Sequence, residues 1–444
     1  MKMHRTGRLS MFAAAALVGA MAVPASAQPV NPRFPGGTVS ELIRFTIVDD
    51  SPESRLATGE LVGARGGALR DALARGITLG ISTVPTGSPS AGFTFVFDGQ
   101  TGERTLKSQS FGPMFVERAM TNGKGVFSLG VTYNHSRFDN LAGDDIVDPG
   151  ILVFDNRVRF ANDGFEQYIN EYVTLDSKVD TFTAVAGFGL TSFLDVGVVI
   201  PVHSLDVTMR RTWDYDVSRN YTIDAGTRQF FAAQGPVGTR FDQKVGTVQA
   251  SGIGDVTLRG KVAFGQARQA VAAVVDLRLA TGDEENLLGA GKSSTRFGLV
   301  TTTPLSDSVS LSANGGYRVG GLSDEATYGV GLDAALLASK KLTASVELIG
   351  QYVKEAPVGF VQRAGESASS PGTGFNPPQP FTVTRDFFFA ETGGANIARG
   401  AAALKYNIAG NALLSGGVLF PLSDNGLTSK YTVFVGLDLS VSSR

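Results

Sequence analysis

From Gly125 to the C-terminus, apolar and polar residues alternate in runs of about ten to fourteen, each ended by a turn. In the last run Tyr431, Val433, Val435, Leu437, Leu439 and Val441 share one side, and Thr432, Phe434, Gly436, Asp438 and Ser440 share the other. Successive side chains of a strand point to opposite faces, so this is a strand with one apolar face. Leu342, Ala344, Val346, Leu348, Gly350 and Tyr352 alternate in the same way with Thr343, Ser345, Glu347, Ile349 and Gln351. So do Val309, Leu311, Ala313, Gly315 and Tyr317 with Ser310, Ser312, Asn314, Gly316 and Arg318. Val256, Leu258, Gly260, Val262 and Phe264 oppose Asp255, Thr257, Arg259 and Lys261, and Val271, Ala273, Val275, Leu277 and Leu279 oppose Asp276 and Arg278. The pattern predicts twelve strands, over 125–138, 166–190, 193–213, 246–265, 269–282, 292–305, 308–320, 325–338, 341–354, 394–408, 411–421 and 430–441.

The connections sort by length. Short ones fall at Thr191-Ser192, Gln266-Ala267-Arg268, Ser306-Asp307, Ser339-Lys340 and Ala409-Gly410. Between them lie longer ones over 139–165, 214–245, 283–291, 321–324, 355–393 and 422–429. A soluble sandwich has no reason to alternate its loops this way, whereas an outer-membrane barrel has short periplasmic turns and long external loops. The Gly, Pro, Ser and Asn in 355–393 predict a solvated loop. The fold class is therefore all-β, an antiparallel transmembrane β-barrel of about twelve strands (12–14), the even number a single-chain bacterial barrel has. Aromatic residues should then gather at the rims. Tyr133, Trp213, Tyr317, Tyr328, Tyr352, Phe420 and Tyr431 fall at the long-loop ends, and Phe188, Phe264 and Tyr406 at the opposite ends.

The face opposite the apolar one carries both signs of charge. Its residues are Asp195, Asp255, Arg259, Lys261, Asp276, Arg278, Arg296, Arg318, Asp333, Glu347, Lys405 and Asp438. A charge on the lipid face costs ~2–4 kcal/mol at the midplane, so these residues are expected to line the lumen. A mixed-sign lining either cross-links the barrel shut or borders a wet path.

Residues 28–124 read differently. Val39 to Val48 (VSELIRFTIV) has the composition of a strand. Ala64 to Arg75 places Leu69, Ala72 and Leu73 on one helical face, weakened by Gly66 and Gly67. Pro85–Gly92 is a turn cluster and Phe93–Phe97 a short strand. The segment is expected to plug the barrel or pack beneath it, or to add a hairpin that makes fourteen strands.

At the N-terminus, Lys2, His4, Arg5 and Arg8 precede the apolar run Met11–Val23 and the small-residue site Ala25-Ser26-Ala27. That is a secretory signal peptide ending at Ala27, too short in its apolar run to span a membrane. The organisation expected is signal peptide 1–27, N-terminal periplasmic or plug segment 28–124, and barrel 125–444. Export to the bacterial outer membrane makes outer-membrane lipid and the barrel-assembly machinery the expected partners. A second charge-free stretch, Tyr406–Ser423, is broken by Asn407, Gly410, Asn411, Gly416, Gly417 and Pro421 and reads as a hairpin.

Composition narrows the chemistry. The chain of 444 residues has no cysteine, which excludes disulfides, thiolate metal sites, iron–sulfur clusters and thiol nucleophiles. Three histidines leave little for a metal site, and a net charge of −2 gives no electrostatic case for nucleic acid. Glycine is abundant at 55 residues and only 18% of residues are charged, as lipid-facing strands and tight turns require.

Three stretches carry a family resemblance: SFGPMFVERAMTNGKGVFSLGVTYNHSRFD (110–139), SGIGDVTLRGKVAF (251–264) and AAVVDLRLATGDEENLLGAG (272–291). With ISTVPTGSPSAGFTFVFD (81–98), they make the chain resemble the outer-membrane transporter-like proteins of the phenol-degradation (MetA-pathway) family. The resemblance implies an outer-membrane barrel that passes small, aromatic or apolar molecules. Such barrels commonly end on an aromatic residue, and this sequence ends Leu439-Ser440-Val441-Ser442-Ser443-Arg444.

Other chemistry is thin. Asp283-Glu284-Glu285-Asn286 lacks calcium-loop spacing and reads as a solvated acidic turn. His203-Ser204 and His135-Ser136 are neighbours in strands, so each pair points to opposite faces and forms no dyad. Gly252-Ile253-Gly254 precedes a strand, unlike a nucleotide-binding loop. No enzyme activity and no cofactor are expected. The expected function is a passive channel for small molecules, with a closed structural or surface-interaction barrel as the alternative.

Overall fold

The computed structural model describes residues 28–29, 34–47, 59–85, 95–97, 104–106, 110–161, 166–216, 239–264, 270–336, 340–363, 367–370 and 380–442. The signal peptide over 1–27, the turn at 266–268 and most of 214–245 lie outside them.

Alternating sequence becomes a closed antiparallel barrel of twelve strands. In chain order these are β1 (Val126–Phe138), β2 (Glu166–Gly189), β3 (Leu194–Asp216), β4 (Thr239–Ile253 and Thr257–Phe264), β5 (Ala270–Arg278) and β6 (Ser294–Pro304). They continue as β7 (Val309–Gly320), β8 (Glu325–Leu336), β9 (Leu342–Arg363), β10 (Phe381–Asn407), β11 (Ala412–Pro421) and β12 (Thr432–Ser442). Each pairs with its sequence neighbour, and β12 pairs with β1 from Thr432↔Ser136 to Ser442↔Val126, which closes the ring. Strand β4 is interrupted at 254–256, yet both halves stay on β3, with Ile253 opposite Val202 and Thr257 opposite Val199. The Gly254 amide still donates to the Pro201 carbonyl at 2.9 Å, so the break is a local irregularity within one strand.

The outer face is apolar. Leu258, Val275, Phe297, Leu299, Val346, Leu404 and Val435 are exposed, while their strand neighbours turn inward. Leu299 is 63% exposed and the adjacent Val300 only 3%. A closed barrel wearing such a band is built to face lipid. On β1 and β2 the band ends in polar partners. The Tyr133 hydroxyl donates to Asp180 at 2.6 Å, His135 Nδ1 lies 2.7 Å from the same carboxylate, and Arg137 pairs with Asp176.

Five strands are far longer than a crossing requires: β2, β3, β9 and β10 have 24, 23, 22 and 27 residues, and the two parts of β4 have 15 and 8. About 9–11 residues suffice for a bilayer, so these strands continue well past it. A further strand, Ile151–Phe160, pairs with β2 on one side and β10 on the other and joins the two extensions. This corrects the solvated loop expected over 355–393. β9 and β10 remain paired there from Ala356↔Gly393 to Arg363↔Phe387, with bulges that absorb Pro357 and Gly359. It also moves Trp213. Tyr133 is level with Phe182 and Val202, and Trp213 stands eleven positions farther along β3, on the extension and away from the rim. Tyr317, Tyr352, Phe420 and Tyr431 are exposed on the outer face.

Of residues 39–48, expected as a strand, Val39–Thr46 form helix α1 instead, and Val48 lies outside the described residues. Thr38 accepts from the Glu41 amide and Glu41 returns a bond to the Thr38 amide, a capping box that starts the helix. Its buried residues Val39, Leu42, Ile43 and Thr46 follow helical spacing, a pattern hidden by their β-forming composition. Helix α2 (Gly59–Ser82) outruns the expected 64–75 at both ends and buries Leu69, Leu73, Ile77 and Ile81. At Gly80 a Cβ would lie 3.2 Å from Leu427 and 3.3 Å from Phe138, so glycine lets the helix lie against the wall. Both helices share one core with inward residues of the long-loop end, among them Phe138, Val173, Leu205, Val207, Met209 and Val248. The short strand Phe95–Phe97 pairs with Arg104–Leu106; among the described residues neither joins the barrel, and the count stays at twelve.

Candidate functional site inside the barrel

Residues 110–123 cross the interior near the short-turn end. Every residue from Phe111 to Ala119 is buried, and much of the segment's backbone is bonded to side chains projecting from widely separated strands. The Glu347 carboxylate on β9 accepts the consecutive amides of Met114, Phe115 and Val116 at 2.5, 2.8 and 2.8 Å. Thr343 on β9 accepts from Phe111 at 2.9 Å, Thr302 on β6 from Ala119 at 3.0 Å, and Asp195 on β3 from Asn122 at 2.8 Å. Lysines serve the carbonyls: Lys405 on β10 donates to Pro113 O at 2.6 Å, and Lys261 on β4 to Arg118 O at 2.6 Å. Backbone polar groups stripped of water must find partners, and here the barrel wall supplies them. Phe115 packs edge-on against Phe434 of β12 at 4.8 Å between ring centroids.

Two side chains of this segment enter the charge network. Glu117 lies 2.9 Å from Arg259 and 3.2 Å from Lys261, and Arg118 faces the buried Asp333. Burial alone would push the Glu117 carboxyl up, but Arg259, Lys261 and Arg296 outweigh that and hold it below the ordinary glutamate range.

Strand register sets the next layer. Arg259, Asp276, Arg296, Arg318 and Glu325 stand opposite one another in sequence across β4, β5, β6, β7 and β8. Asp276 holds Arg259 on one side and Arg296 on the other, at 2.7 Å for Arg296, while Arg318 pairs with Glu325 at 3.3 Å. Two residues beyond Asp276, Arg278 projects into the interior. Asp255 is spent on the 282–290 turn, accepting from the Gly282 and Ala290 amides at 3.1 and 2.9 Å. Asp438 faces Lys405 across the same end of the barrel.

A chamber of about 160 Å³ lies between residues 82–85, at and just past the C-terminus of α2, and Phe115 and Glu117. Arg259, Arg278, Arg296, Arg318 and Arg399 border it, against the carboxylates Glu117 and Asp276. A second cavity of about 60 Å³, with His203 and Asp255 in its wall, shares Arg278 with the first. Glu117, Arg118, Glu325 and Arg399 were not among the sequence candidates. Glu325 and Arg399 keep the inward parity of Asp333 and Lys405, so the alternation marks them; nothing periodic marks Glu117 or Arg118.

A model of the family described as "Putative MetA-pathway of phenol degradation" matches residues 175–402, half of the chain. The chain belongs to that family. Its matched region runs from within β2 to within β10, so the whole Arg259–Glu325 row is part of the family's region. No curated protein matches this sequence. Among solved structures, the chain is similar to the COG4313 outer membrane channel from Pseudomonas putida F1, at 13% identity over 73% of this chain and 98% of that one, TM-score 0.39. It is also similar to the toluene transporter TbuX from Ralstonia pickettii, at 14% identity over 71% and 90%, TM-score 0.26. A third is a Pseudomonas aeruginosa FadL homologue, at 10% identity over 71% and 88%, TM-score 0.28.

The remaining motifs have local tasks. Asp283 accepts from both the backbone and side-chain amides of Asn286, whose Oδ1 in turn accepts the Val39 amide at 3.4 Å. With the Ser40 amide on Glu285 O, that acidic turn docks the N-terminus of α1. His203 is buried beside the Thr181 hydroxyl at 3.0 Å while Ser204 faces out. Among the described residues no group of three His, Asp or Glu is arranged to hold a metal ion.

Proposed function

We propose that this protein is a passive channel for small molecules in the bacterial outer membrane, with residues 110–123 as an internal constriction. The observation that carries this reading is the charged, cavity-containing interior behind an apolar outer wall. The packing of 110–123 depends on hydrogen bonds and ion pairs, the kind of contact water and a polar solute can exchange. Phe115, Ile349 and Ile397 give the chamber an apolar side, which suits solutes with an aromatic or aliphatic body. Membership of the phenol-degradation family supports that class of cargo. Export by the 1–27 signal peptide and insertion by the barrel-assembly machinery belong to the same reading.

Liposome swelling with the full-length protein tests it. Small aromatic and sugar solutes should enter faster than into protein-free vesicles, and the Glu117→Ala variant should speed them further. Swelling no faster than in empty vesicles, from a preparation whose gel mobility shifts on boiling, would refute the channel. The tall wall built from Ile151–Phe160, β9 and β10 favours a second reading, a closed barrel whose external sheet binds a partner. That same negative swelling result would support it.

A further inference from the structure

The interior charge is not balanced where it borders empty space. Five guanidinium groups line the larger chamber and two carboxylates answer them. Those two are already engaged, Glu117 by Arg259 and Lys261, and Asp276 by Arg259 and Arg296. Arg318 has Glu325 outside the chamber. That leaves Arg278 and Arg399. Among the described residues, neither has a carboxylate within ion-pair distance. Arg399 donates to the Thr83 carbonyl and hydroxyl, both at 3.0 Å, which are neutral acceptors at the end of α2. Arg278 is half-buried, on the wall shared by both cavities, and close enough to Arg318 for their charges to repel. Clustering guanidinium groups in a partly desolvated chamber is unfavourable unless an anion offsets them.

We propose that this chamber is a binding site for a small organic monocarboxylate, with Arg278 as its principal ligand-holding residue and Arg399 as the second. The planar guanidinium fork matches a carboxylate in two parallel hydrogen bonds. Phe115, Ile349 and Ile397 offer an apolar side to the rest of the molecule. The volume of about 160 Å³ is that of roughly five waters, and holds one small aromatic or short aliphatic acid. This deepens the channel reading and rests on it only for the statement that such acids also pass through. Binding itself needs no flux.

The test is isothermal titration of the full-length protein, folded in detergent micelles, with benzoate, against a micelle blank. Benzyl alcohol and inorganic phosphate serve as the uncharged and non-carboxylate comparisons. Benzoate should bind with Kd on the order of 1 mM or tighter, and benzyl alcohol at least tenfold more weakly. Arg278→Gln should weaken benzoate about tenfold, and Arg278→Lys, which keeps the charge and loses the fork, by less. Heat-dependent gel mobility verifies that each variant is folded, and the Arg278 side chain makes no hydrogen bond or ion pair to another described group, so its replacement leaves the barrel intact. Three results would overturn the proposal: no heat from benzoate up to on the order of 10 mM, equal binding by benzyl alcohol or phosphate, or wild-type affinity in Arg278→Gln. If benzoate fails to bind while neutral solutes still swell liposomes, the site is refuted and the channel stands. If benzoate binds and nothing swells, the site stands and the channel is refuted.

Discussion

Removing the Glu117 carboxylate should loosen residues 110–123 from the barrel by a calculable amount. The carboxylate sits between Arg259 and Lys261 at 2.9 and 3.2 Å, and all three groups are largely buried. Taking one partner from a buried pair costs about 3–5 kcal/mol, because the other charge is left without compensation. Here the lower end applies. Arg259 keeps Asp276, and Lys261 keeps the Arg118 carbonyl, so neither cation is stranded completely. A loss of ~3 kcal/mol in local stability is about a hundredfold rise in the open population of the segment.

The absence of cysteine makes this measurable, since a single introduced thiol is a unique reporter. Ala119 is fully buried among Ala272, Val274 and Val300, and a cysteine there is small enough to fit. In the Ala119→Cys background, Glu117→Ala should raise the maleimide labelling rate about a hundredfold where labelling follows local opening. Glu117→Gln keeps the shape and one acceptor and should raise it by roughly tenfold. Adding Lys261→Met to Glu117→Ala removes the uncompensated ammonium and should recover part of the loss. Equal labelling of wild type and Glu117→Ala would refute the claim that this network holds the segment. A purely additive worsening in the double variant would refute its electrostatic basis.

The pH dependence has a definite sign. Glu117 is held below its ordinary value when folded, so its contribution is complete above about pH 4.3 and disappears as pH falls through the lower folded value. The thermal midpoint of the micellar protein should therefore drop below about pH 4, and Glu117→Gln should flatten that component. On the outer wall, Val346→Arg should cost ~2–4 kcal/mol in equilibrium unfolding, while arginine at the rim position Tyr431 should cost ~0–1 kcal/mol. At α1, Thr38→Ala should remove about 1 kcal/mol and speed amide exchange in that helix while leaving the β5–β8 amides unchanged.

The barrel was legible because its physics is periodic. Lipid outside and polar groups inside impose one rule on every second residue, and strand boundaries over β5–β8, β11 and β12 follow from it within a few residues. The same parity marks Glu325 and Arg399, which belong to the interior on the same grounds as Asp333 and Lys405. What parity does not give is register. That Asp276 meets Arg259 and Arg296 while Arg278 meets no carboxylate among the described residues depends on how five strands slide against one another, and two positions along one strand separate the outcomes.

Where the chain leaves the wall, the rule lapses. The β-branched and aromatic residues of VSELIRFTIV suit a strand, and the decisive signal is instead the pair Thr38 and Glu41, three residues apart, which closes a capping box. Residues 110–123 obey neither period, since their backbone bonds go to side chains of distant strands and not to a ladder. Their alignment with the wall is read only in three dimensions: an unusual run of three amides on one carboxylate, and two lysines on carbonyls. The inward charges therefore divide by partner. Glu347, Lys405, Lys261 and Asp195 are occupied by backbone and hold the constriction, whereas among the described residues Arg278 and Arg399 border the cavity without a carboxylate. A lining that only filled space would have no reason for that division, since paired charges could have been placed throughout. Among the described residues that pair of arginines has no carboxylate, and the proposed monocarboxylate is the partner that would supply one.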